Sequence, residues 1–150
     1  MELECLKLIQ EPGLEDQIHH LGQTAWPEFL HHSNIHNWHT LFQTFPEYQV
    51  ILRDSTQKVI AVGHTVPLVW DGTDTDLPPN INEILTRAIE ANESSQPANT
   101  LSALAVIVAS ANRGKGHSTR ILNAMKILAL DQGLTALIAP VRPTMKATPK

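Results

Sequence analysis

Leu101-Ser102-Ala103-Leu104-Ala105-Val106-Ile107-Val108 leads through Ala109–Asn112 into Arg113-Gly114-Lys115-Gly116-His117-Ser118, and then into the amphipathic stretch Thr119–Leu130. The first run is apolar and of strand length, and the last carries apolar residues at helical spacing. Two glycines between them let the backbone approach a ligand closely. Strand, glycine turn and helix N-terminus, in that order, make a site for a phosphate-bearing molecule, because the unpaired N–H groups of the first helical turn point at it. The stretch thus indicates an α/β class and a candidate anion site together.

The segments on either side fit the same class. After the turn, Ile121, Leu122, Met125, Leu128 and Ala129 form one stripe predicted to be buried, and Gly133 stands where a helix C-cap glycine belongs. Leu134–Ala139 reads as a short buried strand, parallel to Leu101–Val108 across an ordinary crossover. Pro140-Val141-Arg142-Pro143 ends it, and Thr144–Lys150 reads as a loose tail.

Before the turn, Cys5–Gln10 is predicted as a first strand closed by Pro12-Gly13. Leu14, Ile18, Leu21 and Ala25 then recur at helical spacing up to Pro27. Ser33-Asn34 can cap a second helix in which Ile35, Trp38, Leu41, Phe42 and Phe45 share a face before Pro46. Tyr48–Asp54 and Val59–Val69 read as a hairpin about the turn Asp54–Gln57. After the loop Asp71–Pro79, Asn80 and Glu83 resemble a capping box for a helix with Ile81, Ile84, Leu85, Ala88 and Ile89 on one face. Asn92–Asn99 is a polar connection. No internal repeat and no domain boundary is visible, so residues 1–150 read as one domain.

Composition narrows the function classes. With 42% apolar and 17% charged residues, the chain reads as a soluble globular protein with a real core. A net charge of −4 gives no basic face for nucleic acid. No apolar run is long enough for a membrane span, and the acidic N-terminus lacks a signal peptide's basic start, so the expected compartment is the cytoplasm. Cys5 is the single cysteine. It cannot form an internal disulfide and is expected to be a packed thiol.

Two phosphate motifs fail on residues. A P-loop needs Ser or Thr after Gly-Lys, where Gly116 stands, and an earlier glycine where Ala109 stands. A dinucleotide fingerprint needs a third glycine, where Thr119 stands, and an acid at the end of the second strand, where Ala139 stands. The pattern present is R-x-x-G-x-small, filled by Arg113, Gly116 and Ser118, with Val108 five residues ahead closing the strand.

This resembles the pyrophosphate loop of the GNAT superfamily of acyl-CoA-dependent N-acetyltransferases. The element order is similar too, with the helix Asn80–Ala91 as an insertion. Phe45-Pro46-Glu47-Tyr48, Pro67-Leu68-Val69-Trp70-Asp71-Gly72 and Leu137-Ile138-Ala139-Pro140-Val141-Arg142-Pro143 are similar to an uncharacterised bacterial branch of it. The resemblance implies an α/β fold, a mixed sheet with flanking helices, lacking the family's last helix and closing strands. It implies acetyl-CoA as co-substrate, no metal, and transfer to a small-molecule or peptide amine. The pantetheine arm would lie along Val106, Ile107 and Val108, and the pyrophosphate on Arg113, Gly114, Lys115, Gly116, His117 and Ser118, with Lys115 and Arg120 adding charge. A strand-end N–H near Val106 would meet the oxyanion.

The resemblance leaves the catalytic acid and base unassigned: Leu101–Val108 carries no carboxylate, the only tyrosine is Tyr48, and His64 is either a base or a hydrogen-bonded sheet histidine. The family continues past Leu134–Ala139, which here is expected to keep an open edge and a partly uncovered face, available to a homodimer. The alternative function is a non-catalytic CoA-binding or partner-docking remnant.

Other clusters carry less. His32 and His36 have the spacing of a helical metal pair beside His31 and His39, without an intervening Glu or a third ligand. Asp71, Asp74 and Asp76 fail the EF-hand pattern. Trp26, Phe29, Trp38 and Phe42 sit at helical spacing that fits core, though the resemblance also allows an acceptor pocket.

Overall fold

A computed structural model describes residues 3–25, 39–78, 81–109, 114 and 116–138. Five strands form one sheet in the order β1 (Leu3–Lys7), β2 (Gln49–Asp54), β3 (Val59–Leu68), β4 (Thr100–Val108) and β5 (Ala136–Ile138). Neighbours pair antiparallel except β4 and β5, which run parallel. The described α-helices are α1 (Glu15–Ala25), α2 (Thr40–Gln43), α3 (Ile81–Glu93) and α4 (His117–Asp131), with short 3-10 turns between elements.

The sheet separates two apolar layers. On one face Leu6, Ile51, Val62, Leu68, Leu104 and Ile107 meet Leu14, Ile18 and Leu21, then Leu41 and Phe42 of α2, then Ile84, Leu85 and Ala88 of α3. On the other, Val50, Leu52, Ile60, Ala61, Leu101 and Ala103 meet Ile121, Met125, Leu128 and Ala129 of α4. A β4 strand buried on both sides explains why its sequence is continuously apolar rather than alternating.

The hairpin β2–β3 forms as expected. The Asp54 carboxylate accepts from Thr56 N, Thr56 Oγ1 and Lys58 N, and these bonds, that of the Thr56 hydroxyl first, hold it below the usual aspartate range. Pro67 is tolerated in β3 because the β2 ladder ends at His64, leaving no β2 partner for a strand N–H there. Beyond that end the buried Gln49 side chain donates to Phe45 O and Thr65 O, in place of strand neighbours.

Several boundaries differ from expectation. The first strand is Leu3–Lys7 rather than Cys5–Gln10; Leu8–Gln10 turns into a 3-10 helix in which Gln10 Oε1 accepts from Lys7 N at 2.8 Å. Cys5 is exposed, since its side chain lies beside the sheet's outer edge, although the flank of α4 still desolvates the thiol enough to raise its pKa. Helix α4 begins at His117, two residues before the predicted start. Leu122 is 43% exposed because it lies about 100° round the helix from the fully buried Ile121. Strand β5 is three residues long and half-buried rather than buried. Gly133, at φ 73°, ends α4 as expected, with Leu134 N donating to Ala129 O at 2.8 Å. Of the expected second helix, residues 39–45 are described and Thr40–Gln43 is helical, so Phe45 lies beyond its end; Pro27, the Ser33-Asn34 cap, Asn80 and residues 139–150 lie outside the described residues. No helix among the described residues is long and apolar enough to cross a membrane.

Candidate functional site

The site is assembled at the C-terminal end of β4. Along that strand the β3 ladder slips between His64 and Thr65: His64 pairs with Ala105 and Thr65 with Ala103, leaving Leu104 as the extra residue of a β-bulge. Leu104 and Ala105 consequently both face the α1–α3 layer. A bulge turns the strand and loosens its pairing, a device found beside reaction centres. After it, Val106, Ile107 and Val108 pair with Gly63, Val62 and Ala61 of β3. On the other side β5 reaches β4 only from Thr100 to Ser102, so among the described residues no strand covers Ala103–Val108.

The chain then turns. Gly114 and Gly116 adopt φ 80° and 79°, the left-handed region that other residues resist, and Gly116 is the N-cap of α4. Among the described residues, chain neighbours aside, no atom lies within 4 Å of where a Cβ would stand on either glycine. The first N–H groups of α4 have no partner within the helix, and the helix dipole adds a partial positive charge there. Gly114, Gly116, Ser118 and Arg120 are exposed; Arg113 and Lys115 lie outside the described residues. His117 is instead 7% exposed, and its Nδ1, shut off from solvent, has no hydrogen-bond partner among the described residues. Leaving such a group unpaired costs roughly 1–3 kcal/mol. The sequence marks His117 as a loop residue but gives no sign of that orphaned atom.

The candidate base does not reach this site as a proton acceptor. His64 is wholly buried; burial, and then the nearby His19, push its pKa down to about 3. Its Nδ1 lies 3.0 Å from Gln49 Oε1. Gln49 Nε2 faces two carbonyl oxygens, so Oε1 must face the imidazole and Nδ1 carries the proton. His64 is a sheet histidine. Tyr48 places its hydroxyl 3.5 Å from Gln132 Oε1 at the far end of α4, about 24 Å along the helix from Gly116. Burial, and then Glu47, raise its pKa.

Phe42 is 7% exposed, within the core and 4.5 Å, ring to ring, from His19. Trp26, Phe29, Trp38, His31, His32 and His36 lie outside the described residues. In the Asp71–Asp76 loop the carboxylate of Asp71 accepts from Thr73 N and Oγ1, while Arg87 pairs with Asp76 at 3.3 Å.

No family model matches the chain. The arginine N-acetyltransferase avaD of Aspergillus versicolor is 34% identical to it over 141 residues, 85% of this chain and 48% of that protein. The chain thus spans about half the length of the curated relative it matches. Among solved structures, the GNAT-like decarboxylase GphF in complex with isobutyryl-CoA superposes with a TM-score of 0.68 at 15% identity, over 93% of this chain and 65% of that one. The acetyltransferase AAC(6')-Iy in complex with a CoA-linked bisubstrate analogue gives 0.61 at 10% identity, over 95% and 82%. These structural likenesses establish the fold, the five-stranded mixed sheet with its flanking helices. With the element order and the glycine turn, and with the sequence likeness to an N-acetyltransferase over part of its length, this chain has the fold of the GNAT superfamily.

Proposed function

We propose that the chain binds an acyl-CoA thioester along the outer side of β4 and on the glycine turn, and transfers the acyl group, acetyl in the simplest case, to an amine. The observation that carries this reading is the stretch Ala103–Val108, unpaired on its outer side among the described residues, running into Gly114 and Gly116 at positive φ and then into a helix N-terminus. A pantetheine arm has amides that pair with such an edge as an added strand would. Val106, Ile107 and Val108 flank the arm in this reading. The N–H groups from Arg113, Gly114, Lys115, Gly116, His117 and Ser118 hold the pyrophosphate in this reading, with Lys115 and Arg120 adding charge attraction.

The amine nitrogen attacks the thioester carbonyl, a C–N bond replaces the C–S bond, and the thiolate leaves and takes up a proton. Backbone N–H groups at the bulged part of β4 meet the developing oxyanion. The acceptor is cationic in this reading, because the sequence relative is named for arginine and this chain's net charge is −4.

Calorimetry with CoA and acetyl-CoA tests the cofactor half, alongside Gly116→Val. The fold has room for the new side chain, so the variant is expected to stay folded while the β-branched residue abandons the left-handed backbone and binding drops at least tenfold. Equal binding by the folded variant overturns the loop assignment. Thiol release from acetyl-CoA with arginine and a panel of other amines tests the transfer half; CoA binding without release on any amine would favour a binding module instead.

A further inference from the structure

We infer that Gln49 is a positioning residue for acyl transfer: its buried carboxamide fixes the β3 backbone opposite Leu104 and so sets the β4 bulge. The inference rests on the transfer reading above and carries it two strands further into the sheet. Gln49 opens β2 and is 0% exposed, a place that long amides seldom occupy. Burying such a group costs free energy unless its donors and acceptor are met, and here all are. Nε2 donates to Phe45 O at 2.9 Å and to Thr65 O at 2.8 Å. Oε1 accepts from Thr65 N at 3.3 Å and from His64 Nδ1 at 3.0 Å.

The placement of these bonds ties Gln49 to the site. Two of them go to the N–H and C=O of one residue, Thr65, as the backbone of a paired strand neighbour would. The main-chain ladder between β2 and β3 ends one residue earlier, at the pair Gln49–His64. Across β3, the ladder to β4 slips between the same two residues, His64 and Thr65, and leaves Leu104 as the extra residue. One step of β3 is therefore held by a side chain on one side and faces the bulge on the other. The Thr65 hydroxyl, donating to Tyr48 O, ties the same residue to the turn before β2. An apolar residue at position 49 would fill the space but leave the Thr65 N–H and C=O unpaired in the interior. The strand would recover pairing by shifting register, and the bulge that orients the β4 N–H groups toward the oxyanion would go with it.

The test measures acetyl-CoA binding by calorimetry and thiol release with the best amine of the panel. It compares the wild type, Gln49→Met and a control, Leu85→Ala, which weakens the same face by packing alone. Gln49→Met is expected to bind acetyl-CoA within about twofold of the wild type and to lose kcat by roughly tenfold or more, as a misplaced oxyanion donor would. Leu85→Ala is expected to keep both. The amide 15N signals of Leu104 and Ala105 should move in Gln49→Met and stay in place in Leu85→Ala. Gln49→Glu keeps the shape and the two accepted bonds, so its kcat should fall between; if Gln49→Met does not fold, full kcat in Gln49→Glu overturns the inference. So does full kcat in Gln49→Met, a binding loss as large as the kcat loss, unmoved Leu104 and Ala105 signals, or an equal kcat loss in Leu85→Ala. A wild type that binds acetyl-CoA yet releases no thiol with any amine removes the transfer reading and this inference together; the other outcomes leave that reading standing.

Discussion

At the scale of single residues, His64 sets the acid limit of the fold. Its folded pKa of about 3 lies below the ordinary 6.5, so between those values the unfolded chain binds a proton that the native state refuses. Stability is complete above about pH 6.5, where both states are neutral, and is lost as pH falls through the window towards 3. Denaturant titrations of the wild type should show the unfolding free energy falling from pH 7 to pH 4, by on the order of a few kcal/mol in all. His64→Asn keeps a donor to Gln49 without a titrating ring, so its curve should be flatter in that range; parallel curves for the two proteins would remove His64 as the cause. The sequence leaves His64 open between base and buried sheet residue. What decides it is Gln49 Oε1, and Gln49 is turned to that task by carbonyls at Phe45 and Thr65, which no local pattern reveals.

At the scale of elements, α4 lies over β3 at the one position of that strand without a side chain. A Cβ on Gly63 would run into Cγ2 of Ile121 and Cε of Met125. Gly63→Ala must push the helix outward or bend those side chains, at about 1–3 kcal/mol. Urea denaturation should record that loss, and Met125→Ala in the same background should lose less than its effect alone, because the two changes share one space. Strict additivity would show that the helix does not rest on Gly63. The helix was legible from its periodicity, as were β2, β3 and the αL glycine that ends it. Its first turn was not, because Gly116 caps by backbone conformation alone, with no side-chain cap hydrogen bond to signal a start. The β4 bulge was hidden for a different reason: a strand apolar on both faces has no alternation for Leu104 to break.

At the scale of the whole molecule, the expected uncovered face of the last strand is partly answered by the inserted helix. Ile138 of β5 packs against the cluster that contains Ile84, Leu85 and Ala88, so α3 shares the layer that shields that side, while Leu137 packs against the α4 layer. Sequence alone showed α3 as an amphipathic insertion but not which part of the sheet it would cover, since that depends on where the polar connection Asn92–Asn99 returns the chain. Asn99 marks that return: its side chain bonds Trp70 N and O, and its backbone O accepts from Thr135 N, joining β3, β4 and the approach to β5. One sheet therefore carries two layers that touch different side chains. Leu85→Ala on one face and Met125→Ala on the other should each cost about 2–5 kcal/mol. Placed on opposite faces with no shared partner, they should add to within about 0.5 kcal/mol in the double variant. Fluorescence and circular dichroism should give one coincident urea transition for all three proteins, because both layers depend on the same strands for their other wall. Two separated transitions would mean that the layers unfold independently, and would contradict a single cooperative sheet.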